Sequence, residues 1–173
     1  MARYRIKQFY WAISSFFTKV DEKYLIRYLN KEERALFDKM TKVDRHHAIR
    51  VAKDAEAYYE SLKKYTDNME ISKEDIIKLS LLHDVGKQVY PLNIIKKSIV
   101  VLLSKLTRDK IKRLTKFNAV YIYYYHPKEG IRLLKDLGYS YSSGFLYAVE
   151  NHHELNAVET LPLRILKYAD NRN

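Results

Sequence analysis

Apolar residues recur along this chain at intervals of three and four, which is the period of an α-helix and not of a strand. His47, Val51, Ala55, Tyr58 and Leu62 trace one face of a long helix reaching about Tyr65. Ahead of it, a first helix is expected over about 3–17, and "DEKYLIRYLN" and "KEERALFDKM" read as two short helices meeting near Asn30. Asp44 sits where the long helix wants an N-cap. Ser72, with Asp75 three residues on, approximates a capping box. It opens the helix "EDIIKLSLLHDV", which is expected to stop near Gly86. "YPLN" reads as a turn. "NIIKKSIVVLLSKL" reads as a strongly apolar helix, although "IVVLL" alone would serve as a strand. "RDKIKRLTKF" reads as a further helix, and "VYIYYYHP" is ambiguous. Pro127 suits the first position of the helix "KEGIRLLKDLG", with Gly138 just past its end. "SSGFLYAVENHHE" and "LPLRILKYADNRN" complete the pattern, the last helix opening at Pro162. No linker and no repeat interrupts it, so an all-α single domain is expected.

Composition supports that reading. Four glycines and three prolines in 173 residues leave little material for tight hairpins. Hydrophobic residues make up 47% and charged residues 31%, enough of each for one packed core and a solvated surface. The absence of cysteine excludes disulfides and thiolate metal sites and fits a reducing compartment, so a cytoplasmic location is expected. A net charge of +11 favours anionic partners. The positive charge is scattered, with no five-residue basic block, so specific nucleic-acid binding is not expected. No apolar run reaches the ~18–20 residues of a bilayer span. The aromatic N-terminal stretch "FYWAISSFF" lacks a signal-peptide cleavage pattern; it is expected to pack on the domain or, as a homo-oligomer contact, on another subunit, with an interfacial membrane helix as the alternative.

The candidate chemistry lies in histidines and carboxylates at the ends of apolar helices. "LSLLHDVGK" ends a buried face on adjacent His83 and Asp84, and a buried carboxylate needs a cation or strong donors. "LRILKYAD" ends in the same way on Asp170. His47 lies on the apolar face of the long helix, whereas His46, about 100° away, is expected at the surface. His126, His152 and His153 fall at or near helix ends. Taken singly, each has an ordinary structural explanation. Taken together, they make an N/O ligand set suited to Fe, Mn, Zn, Co or Ni.

"H-x-x-R-V-A" from His47, "LLHDVGK" and the "AD" ending on Asp170 resemble the H…HD…D signature of the HD-domain metal-dependent phosphohydrolases over about residues 33–171. The resemblance implies an all-α HD helical bundle at 33–173, with 1–32 as an N-terminal helical extension packed on it. "YHPKEGIRLLKDLG" and "VENHHE" are further similar to segments of the binuclear subgroup that includes the HD-GYP proteins. By that likeness His47, His83, Asp84 and Asp170 hold one divalent ion. Asp84, His126, His152 and His153 hold a second, with Asp84 bridging. The Gly-Tyr-Pro motif is missing from "HHELNAVETLP". Val43 stands where some relatives carry a glutamate, so neither a third ion nor cyclic di-GMP is expected. HD hydrolases of diadenosine tetraphosphate offer another likeness.

The implied reaction is hydrolysis of a phosphoester or phosphoanhydride of a nucleotide or similar small phosphorylated substrate by a metal-activated hydroxide. Asp84 and Lys87 are the expected catalytic residues, Lys87 reaching a phosphate oxygen or the metal-bound water. The alternative is a catalytically silent module that binds metal and nucleotide for signalling.

Overall fold

A computed structural model describes residues 11, 14, 15, 17–65, 69 and 71–173. Among these it contains eight α-helices, two 3-10 helices and no strand. The α-helices are α1 (Glu22–Tyr28), α2 (Lys31–Asp38), α3 (Lys42–Lys63), α4 (Lys73–Leu82), α5 (Ile94–Leu106), α6 (Asn118–Asp136), α7 (Ser143–Asn151) and α8 (Leu161–Asp170). A 3-10 helix, Val85–Val89, follows α4, and another, Lys110–Arg113, follows α5. The expected all-α class is therefore observed. Most of the helix expected over 3–17 lies outside the described residues.

The architecture follows from which helices are apolar on one side and which on all sides. Helix α4 buries Ile76, Ile77, Leu79, Ser80, Leu81 and Leu82, so no face of its second half is left for solvent. A helix of that kind belongs at the centre of a bundle. Helix α3 lies against it along Ala48, Val51, Ala52 and Ala55, whose short side chains let the two axes approach closely. Helices α7 and α8 close the other sides with Phe145, Ala148 and Val149, and with Leu163, Ile165, Leu166 and Ala169. Helices α1 and α2 contribute Leu25 and Phe37 to the same core, both fully buried.

Helix starts are set by short polar side chains. Asn30 and Glu33 form a reciprocal capping box. The hydroxyls of Ser72, Ser142 and Thr160 accept from the backbone N–H three residues on. At α3 the cap is Thr41, not Asp44 as expected: the Thr41 hydroxyl oxygen accepts from the Asp44 N–H and its O–H donates to the Asp44 carboxylate at 2.6 Å. Asp44 instead occupies the first turn, where its charge suits the helix dipole.

Three other expectations change. "RDKIKRLTKF" forms only the 3-10 turn Lys110–Arg113, because Arg108 and Asp109 adopt φ of 49° and 61° and break the helical path. "IVVLL" is helical, inside α5. "VYIYYYHP" and "KEGIRLLKD" form one continuous helix, α6, with Pro127 in its interior instead of at its first position. A proline there has no N–H for the carbonyl of Tyr123, four residues back. The His126 ring meets that orphaned carbonyl instead, with Nδ1 3.2 Å from Tyr123 O and 3.0 Å from Ile122 O.

Helix α4 ends at Leu82, and Gly86 is inside the following 3-10 helix; it is not the residue that stops α4. Its role is close approach. A Cβ at Gly86 would lie 1.9 Å from the His126 carbonyl oxygen and 2.6 Å from the Gly130 nitrogen, both backbone atoms of α6. Gly86→Ala should therefore force the 3-10 helix and α6 apart and cost about 1–3 kcal/mol, a fall in Tm of several degrees for a chain of this size. Gly144→Ala, whose Cβ would meet only Pro162 Cγ at 3.5 Å, is the control and should hold or raise Tm. Thermal unfolding of the two variants checks this. Equal Tm values would refute the backbone-contact account.

Candidate metal centre

Five helices and one 3-10 turn bring the seven expected ligands together. His47 comes from the second turn of α3. His83 and Asp84 follow the last residue of α4, His126 lies in the middle of α6, His152 and His153 follow α7, and Asp170 ends α8. Asp84 lies at the centre and is 1% exposed.

The two Asp84 oxygens face different partners. Oδ2 lies 3.4 Å from His83 Nε2 and 3.7 Å from His47 Nε2, and it accepts an ion-paired hydrogen bond from Lys87 Nζ. Oδ1 lies 3.2 Å from His126 Nε2 and 3.8 Å from His152 Nε2. Asp170 Oδ1 stands 3.0 Å from His47 Nε2 and 3.8 Å from His83 Nε2. The ring of His153 lies against those of His152 and His126, with centroids 4.0 Å and 5.1 Å apart. Possible ligand atoms fall into two groups, each within 4.8 Å: His47, His83 and Asp84, and Asp84, His126, His152 and His153. Asp84 belongs to both.

The local helix geometry aims the imidazoles. His83 Nδ1 is 2.8 Å from the Ser80 carbonyl, and His152 Nδ1 is 2.7 Å from the Val149 carbonyl, in each case three residues back. His126 Nδ1 meets Ile122 O in the same manner. A carbonyl only accepts, so Nδ1 carries the proton, and in a neutral ring Nε2 presents a lone pair. This backbone anchoring is how metal-binding histidines are commonly oriented.

The consequence is a concentration of unsatisfied polarity. Nε2 of His83, His126 and His152, and Oδ1 of Asp84, are buried with no hydrogen-bond partner. Around Oδ1, lone pairs of neutral rings face a carboxylate lone pair, and acceptor facing acceptor gives no hydrogen bond. Each such group costs about 1–3 kcal/mol if left so. Divalent cations would satisfy these groups, His83 in one set of ligand atoms and Asp84 Oδ1, His126 and His152 in the other, and imidazole nitrogens with carboxylate oxygens fit a borderline divalent metal.

The charge states suit that fit. Burial would by itself raise the Asp84 carboxyl, but His83, Lys87 and His126 hold it well below the ordinary range. Asp170 is likewise held low, burial being overridden by its hydrogen bond and charge interaction with His47. Burial pushes His47 and His126 down, and His152 further, with like charge from His153 added. Burial takes His153 to about 4. His83 alone is raised, because Asp84 and Asp170 outweigh its burial. Near neutral pH the centre thus offers two carboxylates and mainly neutral imidazoles.

Three other basic residues stand apart from the cluster. His46 is turned away, its Nε2 3.4 Å from the Thr18 hydroxyl, as its angular position requires. Arg50 stacks over Trp11 at 4.4 Å and Lys128 faces the Tyr125 ring, so neither stands among the cluster. Two residues escape sequence reasoning. Lys97 of α5 lies beside Lys87, whose charge, followed by burial, pushes Lys97 below its ordinary pKa, and buried Asp44 approaches Lys97 at 3.8 Å. Nothing in "IKKS" distinguishes Lys97 from Lys96; only the docking of α5 does.

A family model described as HD domain matches residues 45–172, a span that contains all seven clustered residues. No curated protein and no solved structure matches the chain. Proteins carrying this domain are in general metal-dependent phosphohydrolases.

The lowered imidazoles set a pH dependence for the ion-free protein. An unfolded histidine takes up its proton near 6.5, while folded His153 does so near 4, and His47, His126 and His152 also lie below 6.5. The unfolded chain therefore binds more protons as pH falls, and stability declines. His83 acts in the opposite sense and is outnumbered. Tm measured in chelator should fall steadily from about pH 6.5 to pH 4, and Asp84 and Asp170 should extend the fall below 3.8. A divalent metal should raise Tm at pH 7 and lose that effect in acid, since protons compete for the same nitrogens. A flat profile between pH 7 and 4 would contradict this electrostatic account.

Proposed function

The chain belongs to the HD-domain family, and on that footing we propose that it is a phosphohydrolase with a two-ion centre, acting on a nucleotide or similar small phosphorylated substrate. The observation that carries the reading is the burial of Asp84 Oδ1 and the Nε2 atoms of His126 and His152 against one another without partners, with unpartnered His83 Nε2 on the other side of the same carboxylate. Residues 33–173 form the HD unit in this proposal, with 1–32 as an N-terminal extension. His47, His83, Asp84 and Asp170 would hold one ion. Asp84, His126, His152 and His153 would hold the other, and Asp84 would span the pair with its two oxygens. Bound there, divalent ions lower the pKa of a coordinated water and neutralise charge on phosphoryl oxygens.

The chain's own residues supply the rest. His83, His126 and His152 are fixed by their backbone carbonyls, so their Nε2 atoms need no reorientation on binding. Two carboxylates leave a site with two divalent ions net positive, which favours an anionic ester. Lys87 keeps its proton, because Asp84 and Asp44 outweigh its burial. In this reading its ammonium, paired with Asp84 in the structure, meets a phosphate oxygen and stabilises charge as the ester bond breaks. Lys97 adds a second cationic head beside it. The aromatic run Tyr121–Tyr125 is mainly engaged elsewhere: Tyr121 donates to Glu129 and Tyr124 to Asp109.

Asp84→Ala and the closer isostere Asp84→Asn should both lose bound metal and hydrolysis over a nucleotide and phosphoester panel. Full turnover in either would refute the proposal. Lys87→Gln should keep its metal and lower kcat about 10²–10³-fold. Tight metal and nucleotide binding by the wild-type chain, without turnover of any panel member, would assign it instead to a silent signalling module.

A further inference from the structure

Helix α5 is the one element whose apolar residues face mostly outward among the described residues. Its core side holds only Val100 and Ser104 in buried positions, with Lys97 toward the metal centre. On the opposite side Ile95 is 70% exposed, Ile99 51%, Leu102 58% and Leu106 70%, with Leu103 beside them. At 100° per residue these five positions fall within an arc of about 100°, so they form one continuous aliphatic stripe. Leu114 and Phe117, just beyond, are exposed as well. Single exposed apolar residues are ordinary, but a contiguous stripe of this length signals a binding surface.

The charge around the stripe identifies what it binds. Residues 94–116 include eight lysines or arginines and one acidic residue, Asp109. Asp109 is occupied by the hydroxyls of Ser104 and Tyr124. Among the described residues only Lys97 of the eight has a carboxylate partner, Asp44. The stripe is therefore rimmed by unneutralised positive charge. The chain's own residues 1–10 carry Arg3, Arg5 and Lys7 and no acidic residue, so they are electrostatically mismatched to it. A second copy would set two basic rims against each other. Nucleic acid would match the charge but offer nothing to the aliphatic side chains.

We propose that α5 and the basic turn after it form a peripheral docking surface for an anionic lipid bilayer. Aliphatic side chains along one face of a helix enter the boundary between headgroups and acyl chains, and flanking lysines remain at the phosphate level. The attraction adds with each basic residue near the surface and is screened by salt. The described helices include none long and apolar enough to cross a membrane, and this mode of binding needs none.

The test is co-sedimentation of the metal-loaded full chain with vesicles of phosphatidylcholine alone or with about one third phosphatidylglycerol. Binding should be at least about tenfold stronger to the anionic vesicles and should weaken at high salt. The triple variant Ile95→Ser/Leu102→Ser/Leu106→Ser should lose binding while keeping its metal content and Tm, since none of the three positions is in the core. Lys110→Glu and Lys112→Glu should each weaken partitioning by roughly fivefold or more. Three results would overturn the proposal: equal or absent binding to the two vesicle types, unchanged binding by the triple variant, or a wild-type dimer in solution that the triple variant dissolves. Stripe-dependent binding to an acidic protein with none to vesicles would also overturn it, in favour of a protein partner.

Discussion

One carboxylate, Asp84, ties this molecule together. It is buried, ionised and approached from several sides. Removing a carboxylate from water costs several kcal/mol unless opposite charge and donors compensate. Within the chain the direct ion pair comes from Lys87, three residues on; the imidazoles of His47 and His83 stand against the same oxygen and that of His126 against the other, where no donor reaches it. These groups belong to α3, to the segment after α4 and to α6. The packing of those elements and the solvation of one carboxylate are thus a single problem. That gives a physical reason for polar residues to lie in the middle of an apolar bundle.

The backbone solves that problem before any side chain does. Gly86 allows the 3-10 turn after Asp84 to rest directly on the His126 carbonyl, which no residue with a Cβ would permit. Pro127 removes the N–H that would have bonded Tyr123 O, and the His126 ring takes up the space and the acceptor. The approach of the turn to α6 and the aim of the His126 ring are therefore consequences of two adjacent features, one glycine and one proline. The histidines after α4 and α7 reach the same aim by a simpler route, by bonding their own last-turn carbonyls. All three present Nε2 outward from a helix, and the helices converge.

Much of this was legible in the sequence, and the failures are local. The period-3.6 pattern revealed the helices because burial dictates it, and "LSLLHDVGK" stood out as an apolar face ending on two polar residues. The residues that cluster were singled out because polar side chains ending apolar runs demand a partner. Pro127 misled, since a proline normally marks a helix start and the interior position is rescued only by a side chain whose rotamer is invisible in sequence. Gly86 misled in the same way: its role depends on how near α6 lies, which is tertiary information. Arg108 and Asp109 broke a helix that their neighbours' propensities favoured. Lys97 was missed because its approach to the centre depends on how α5 docks.

The division of Asp84 is the strongest support for two ions over one. A single ion beside Oδ2 would engage His47, His83 and Asp170. It would leave Oδ1 and the Nε2 atoms of His126 and His152 facing each other as buried acceptors. An ion beside Oδ1 alone would relieve those atoms and leave the other half held by His47, Lys87 and Asp170, where His47–Asp170 and Lys87–Asp84 already pair. The halves are thus unequal. The half at His47 is internally compensated apart from His83 Nε2, whereas the half at His126 leaves three buried acceptors unpartnered until a cation binds. If the two-ion reading holds, the His126 side should fill at the lower metal concentration. The His47 side must first displace a proton from His83 and loosen Lys87 from the carboxylate, so it should fill second and with the steeper pH dependence.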